Sequence, residues 1–173
     1  TSPQIYASST NIDGWEAYKS FLTDEDSLTH LNKTIKKMRE QQNQWVSMSS
    51  YKESQEVVTS KDILATPQKV VILIDKNCGS SCEQFVLTAQ QNPRVVTMGR
   101  PTYGALDASN VMEKTSPSKQ LQIYYASTYI HRPAGKEIDG LGIPLAIKLP
   151  KPQNQAEYSA EIQLAQRYLE QGL

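Results

Sequence analysis

Val70-Val71-Ile72-Leu73-Ile74-Asp75, followed at once by Lys76-Asn77-Cys78-Gly79-Ser80-Ser81-Cys82-Glu83-Gln84, is the stretch on which the fold turns. The β-branched, almost wholly apolar run 70–74 reads as a strand covered on both faces. A glycine-containing turn follows, and two serines stand where a helix should begin. Such a junction aims backbone N–H groups and the positive end of a helix dipole at one spot. A serine hydroxyl held there lies near donors that can stabilise an oxyanion. Downstream, Cys82 to Gln91 carries Phe85, Val86, Leu87 and Ala89 and reads as a helix with a buried face, stopped by Asn92-Pro93. Val95-Val96-Thr97-Met98 is a second short buried strand. Strand, helix, strand in that order predicts a parallel crossover and an α/β fold.

Outward toward the N-terminus, Ser47 to Thr66 is polar and weakly periodic, a loop or hairpin excursion. Before it, Asp13 to Leu22 places Trp15, Tyr18, Phe21 and Leu22 at helical spacing. Thr23-Asp24-Glu25-Asp26 has the acidic first turn of a helix start, and Leu28, Leu31, Ile35 and Met38 form one apolar stripe. That pattern predicts a long amphipathic helix from about Asp24 to near Trp45, packed by one face. Outward toward the C-terminus, Gly99-Arg100-Pro101-Thr102-Tyr103-Gly104 is a turn-rich loop, and Leu121 to Ile130 is a Tyr-rich strand. Residues 133–142 form a loop with three glycines, and Leu145 to Leu149 is a last short strand closed by Pro150 and Pro152. Glu157 to Gln171 is a closing helix with Leu164, Ala165, Tyr168 and Leu169 as its inner face. We expect residues 1–66 to form a helical segment and excursion packed on a core made by 67–173.

Lys+Arg and Asp+Glu balance at 18 each in 173 residues, so nothing in the charge calls for a nucleic-acid or acidic-membrane partner. No apolar run has the length of a membrane span. Two cysteines are too few for a disulfide scaffold. Cys78 and Cys82 stand four apart across the turn, and whether they bridge is left open at this point. Metal binding needs further ligands, and the histidines are only His30 and His131, so no metal or organic cofactor is implied. The chain starts Thr1-Ser2-Pro3 without Met, and we expect it to be mature, processed or trimmed.

Ser80-Ser81-Cys82-Glu83 also fits a capping box, with Ser at the cap and Glu three residues later. A serine can occupy a helix start and still be a nucleophile, but it needs a base. His131, Asp107, Glu137 and Asp139 are the candidates. There is no G-x-S-x-G elbow, so the α/β-hydrolase reading is weak. A cysteine enzyme using Cys78 or Cys82 lacks an evident base.

Four stretches in order resemble the tail-specific, or C-terminal processing, serine peptidases, a family that includes the tricorn protease core and the retinoid-binding repeats of the eye. They are Leu73-Ile74-Asp75, Cys78-Gly79-Ser80-Ser81-Cys82-Glu83, Gly99-Arg100-Pro101-Thr102-Tyr103-Gly104 and Gly135-Lys136-Glu137-Ile138-Asp139-Gly140-Leu141-Gly142-Ile143-Pro144. The resemblance runs from about Gln68 to Leu169 and implies a ClpP/crotonase-like β-β-α spiral core, here the C-terminal part of a peptidase domain. It implies Ser80 as nucleophile, the Ser81 backbone N–H as oxyanion donor, and Glu83 as the helix-cap partner. Gly79, Tyr103 and Gly104 would line the site. Ala105 stands where the Ser–Lys branch carries its lysine, and Lys114 would need a different loop path, so the tricorn-like Ser–His–acid branch is implied instead. Asp139 matches its acidic residue, shorter by one methylene. Its histidine would come from upstream, as would the second oxyanion donor of a D-x-R-x-N-x-G-G loop that this chain lacks. The implied function is a serine endopeptidase, inactive as this isolated fragment, whose partners are a peptide or protein substrate and the missing N-terminal part of the domain. Homo-oligomer formation stays open, and the implied compartment is extracytoplasmic. A non-catalytic binding or scaffold domain is the alternative.

Overall fold

The computed structural model describes residues 3–48 and 64–172, which fall into two compact units. One contains residues 3–48 and 107–135; the other contains residues 64–106 and 136–172.

The first unit opens with β1 (Gln4–Tyr6), then α1 (Ser9–Tyr18), a 3-10 turn over Lys19–Phe21 and α2 (Glu25–Glu40). Asp24 caps α2 by accepting from the Ser27 N–H at 2.7 Å, and that bond holds its carboxyl below its ordinary value. The expected stripe is real: Leu31, Ile35 and Met38 are buried with Ile5, Ile12, Trp15 and Val46 in one core. The helix does not run to Trp45, however. It ends at Glu40, and Trp45 opens β2 (Trp45–Ser47), which pairs antiparallel with β1. The apolar positions beyond Met38 thus serve a strand, whose period of two carries Val46 inward and leaves Trp45 half exposed. The expected excursion at Ser47 to Thr66 lies mostly outside the described residues. The sheet, in order β2-β1-β6-β5, is completed by the antiparallel pair β5 (Ala108–Thr115) and β6 (Gln122–Tyr129).

The second unit holds the crossover predicted from the sequence. β3 (Val70–Ile74) runs through α3 (Ser81–Ala89) to β4 (Val95–Gly99), and the strands pair in parallel with Val71 opposite Val96. β7 (Ile147–Lys148) adds parallel to β4, and α4 (Gln155–Gln171) closes the chain. Two small cores form. Ile74, Cys78, Val86, Leu106, Ile138 and Ile143 pack together around the turn after β3. Met98, Leu149 and Ala165 pack with Leu164 and Tyr168 under α4. The Arg100 guanidinium grips the Glu161 carboxylate through both nitrogens, at 2.5 and 3.1 Å, which ties α4 to the end of β4.

Three burial expectations are corrected. Among the described residues β3 lies at the edge of its sheet, and of its five residues only Ile74 is buried while Leu73 is 38% exposed. On α3, Phe85 is 61% exposed, because the inward face is set by Val86 and Glu83, three apart. Leu169 of α4 is likewise exposed, one residue round the helix from the packed Tyr168. No helix among the described residues is long and apolar enough to cross a membrane.

Candidate active site

At the end of β3 the chain turns sharply. Asp75 folds back to accept the Asn77 N–H on its side chain at 2.9 Å and the Cys78 N–H on its carbonyl at 3.0 Å. Gly79 and Ser80 then carry the chain into α3. Ser80 has φ +53° and ψ −116°, a conformation that a side-chain-bearing residue enters only at a cost of about 1–3 kcal/mol. This is a strained strand-to-helix elbow built without the G-x-S-x-G sequence. Ser80 and Ser81 are both exposed at its tip. Ser81 is the first residue of α3, so its N–H has no partner one turn back within the helix. Cys78 and Cys82 are joined by a disulfide that spans the elbow, and neither is left as a thiol.

What holds the elbow is Glu83. Its side chain is fully buried, and its carboxylate collects four donors, two on each oxygen. Oε2 accepts from the backbone N–H groups of Ser80 and Ala105, each at 3.0 Å. Oε1 accepts from the Thr102 hydroxyl at 2.5 Å and the Gly104 N–H at 2.7 Å. The capping role expected for Glu83 is therefore present in its Ser80 contact. The same carboxylate also clamps the loop 99–104 against the elbow. The Tyr103 N–H adds a bond to the Cys78 carbonyl at 2.8 Å. Gly79 faces the Tyr103 Cβ so closely that a side chain at Gly79 would meet it at 3.3 Å. The Tyr103 ring itself stands exposed beside the turn.

A third loop is stitched behind these two. The Thr102 hydroxyl, while donating to Glu83, accepts the buried Ile143 N–H at 2.7 Å. The Gly104 carbonyl accepts the Gly140 N–H at 2.9 Å. Gly104 has φ +78°, and a Cβ there would sit 2.9 Å from backbone atoms of Ile138, Gly140 and Gly142. Only glycine fits such a crossing without displacement. Asp139 accepts the Leu106 N–H on Oδ1 at 2.7 Å, which fixes the chain just past the loop glycine.

The fold thus brings together Gly79, Ser80, Ser81, Tyr103 and Gly104, with Asp139 anchored to the same loop system. It does not bring a histidine into this unit. His131 belongs to the other unit, edge-on to Tyr129 at 4.7 Å and to Trp45 at 5.8 Å. Asp107, weighed as a base, is buried there and paired with Arg132. Lys114 lies on β5, also in that unit. Thr102 and the clamping role of Glu83 were missed. One signal was available: Glu83 sits three residues before Val86, on the apolar face of its helix. No group of three or more His, Cys, Asp or Glu side chains among the described residues could hold a metal ion.

The model of the family described as Peptidase family S41 matches residues 18–149, more than half of the chain, and the chain belongs to that family. This bears out the family read from the four motifs. Among solved structures, the chain is similar to mature CPAF complexed with lactacystin, with 21% identity and a TM-score of 0.47. That likeness covers 60% of this chain and 21% of the other. It is also similar to a candidate peptidase from Parabacteroides merdae ATCC 43184, with 17% identity and a TM-score of 0.42, over 56% of this chain and 31% of that one. The chain thus spans about a fifth to a third of the length of these two structures. None of the curated proteins matches.

Proposed function

We propose that this chain is the nucleophile-bearing part of a serine endopeptidase domain of the tricorn-like branch. The observation that carries this reading is the backbone of Ser80: an exposed serine held at φ +53° at the tip of a strand–helix elbow, its N–H fixed by a buried carboxylate. Strain of this kind persists only where the surroundings over-determine it, and it clusters at reactive positions.

In the complete protein, a histidine from outside this chain takes the Ser80 hydroxyl proton as Oγ attacks a peptide carbonyl carbon. The carbonyl oxygen becomes an oxyanion facing the Ser81 N–H and the helix N-terminus. The histidine then gives its proton to the leaving amine, and water hydrolyses the acyl-enzyme by the reverse steps. Asp139 orients the histidine. Its Oδ1 bond to Leu106 supports that role by fixing the carboxylate in place. Tyr103 and Gly104 flank the scissile bond. Among the described residues no strand pairs with the outer edge of β3, whose sequence reads as covered on both faces, and this supports a partner role for the upstream part of the same domain. The Cys78–Cys82 disulfide suits an extracytoplasmic compartment.

The test is a fluorophosphonate probe on the full-length protein. Labelling should be lost in Ser80→Ala and kept in Ser81→Ala, which retains its backbone N–H. Labelling that survives Ser80→Ala removes the assignment. No labelling of the full-length parent protein favours a non-catalytic binding or scaffold domain that keeps the fold.

A further inference from the structure

The elbow that carries Ser80 is closed into a covalent ring. Cys78 and Cys82, the only cysteines of the chain, are joined across it with their Cα atoms 5.2 Å apart. The ring contains both backbone dihedrals of Ser80, the residue held at φ +53°. Its two ends are anchored differently. Cys78 is buried among Ile74, Val86 and Leu106, with its N–H bonded to the Asp75 carbonyl and its carbonyl to the Tyr103 N–H. Cys82 stands exposed in the first turn of α3. Relaxing φ at Ser80 moves Cys82 relative to Cys78, and the bridge resists that movement. With the bridge cut, Ser80 keeps its N–H bond to Glu83 and the bond from the Gln84 N–H to its carbonyl. Each such bond is worth, net, about as much as the strain it opposes. The bridge is therefore the restraint that over-determines the conformation of Ser80.

We propose that the Cys78–Cys82 bridge is a redox latch on the elbow: the oxidised chain holds Ser80 in its reactive conformation, and a dithiol reductant releases it. The inference rests on the reading of Ser80 as the nucleophile. A thiolate of the dithiol attacks the sulfur of Cys82, the exposed member of the pair, and forms a mixed disulfide. The Cys78–Cys82 bond breaks, and the Cys78 sulfur leaves with the electron pair and takes a proton. The second thiol of the reductant then attacks its own sulfur in the mixed disulfide, which frees Cys82 as a thiol and closes the dithiol to a disulfide. The chain gains two electrons and two protons, and the dithiol loses them. In the reverse direction a disulfide oxidant sets the latch, so the site forms in an oxidising compartment and stays slack in a reducing one.

The experiment follows fluorophosphonate labelling of the full-length protein when oxidised, when reduced with dithiothreitol, and when reoxidised with oxidised glutathione. Alkylation of Cys78 and Cys82, read by mass spectrometry, reports the state of the bridge. Reduction should slow labelling about fivefold or more, the factor that matches the low end of such backbone strain, and reoxidation should restore it. The double variant Cys78→Ser, Cys82→Ser should label at the rate of the reduced parent with or without dithiothreitol. Amide hydrogen exchange at Ser80 and Gln84 should rise by a similar factor on reduction, while β3 and β4 keep their protection. Equal labelling of the oxidised and reduced chains, or a double variant as fast as the oxidised parent, overturns the proposal. So does elbow exchange that is unchanged on reduction, or a loss of protection that spreads to β3 and β4. The comparison of oxidised and reduced parent stands even if the double variant fails to fold. Labelling that survives Ser80→Ala, or that is absent from the oxidised parent, refutes the nucleophile reading instead, and the exchange at Ser80 and Gln84 then decides the latch alone.

Discussion

Replacing Glu83 by Gln is the sharpest perturbation this structure offers, because it keeps the shape and removes one acceptor oxygen. The carboxylate serves two donors on each oxygen. In one amide orientation, the NH2 faces the Ser80 and Ala105 N–H groups, and both are orphaned. In the other it faces Thr102 and Gly104. The threonine hydroxyl can turn to accept, so one N–H, that of Gly104, is left without a partner. The second orientation costs less and sets the floor. A buried orphan costs about 1–3 kcal/mol, and each remaining bond falls from charge-assisted to neutral strength, a loss of about 1 kcal/mol apiece. The sum is about 3–6 kcal/mol, against a total stability of about 5–15 kcal/mol for an ordinary domain. Urea unfolding followed by circular dichroism reads this directly as a fall in midpoint. A loss below about 1 kcal/mol would refute the reasoning, since no arrangement of a buried amide satisfies four donors. A double-mutant cycle with Thr102→Val adds a second reading. The two changes share one hydrogen bond, so their combined cost should fall short of the sum by about 0.5–3 kcal/mol.

The other predictions concern the same neighbourhood. Thr102→Val should cost about 2–4 kcal/mol because it strands the Ile143 N–H and takes a donor from Glu83, whereas Thr102→Ser should stay within about 1 kcal/mol; thermal unfolding of the pair checks it. Ser80→Gly should raise stability by about 1 kcal/mol by releasing the positive-φ strain, while Ser80→Ala should not, and a matched urea series distinguishes them. Gly104→Ala should lose about 2 kcal/mol or more and shift the midpoint accordingly, since its Cβ meets three backbone atoms at 2.9 Å. Reducing the Cys78–Cys82 bridge should release two titratable thiols and cost only about 2 kcal/mol, because so short a loop constrains the unfolded chain little.

The crossover was legible because its signals are local. Val70 to Ile74 and Val95 to Met98 are runs of apolar, mostly β-branched residues, punctuated by Gly79 and Asn92-Pro93, and each segment declares its type without its neighbours. β1 and β2 are three residues long, too short to show a period, and they exist because each completes the other's ladder. β5 was missed for a different reason. Asn110, Glu113 and Lys114 interrupt any alternation, and the hairpin that β5 forms with β6 exposes much of both faces, so no apolar pattern is required of it.

The site divides in the same way. Gly79, Ser80 and Ser81 were singled out as candidates through a motif whose parts are adjacent in the chain. The clamp was not, since its donors at Thr102, Gly104 and Ala105 lie about twenty residues beyond the acceptor and meet it only in the fold. Local reading also misdirects here: Ser80 and Glu83 satisfy the capping-box spacing, and that pairing uses up one donor and leaves no reason to look for three more. A cap at a solvent-exposed helix end does not bury its carboxylate completely, and Glu83 is completely buried. Burial of a charge is tolerated only when its hydrogen bonds are made, so the loops 99–104 and 138–143 must close before this helix start is stable. The elbow is therefore a product of three segments folding together, and a change at Thr102 or Gly104 should disturb Ser80 as surely as a change beside it.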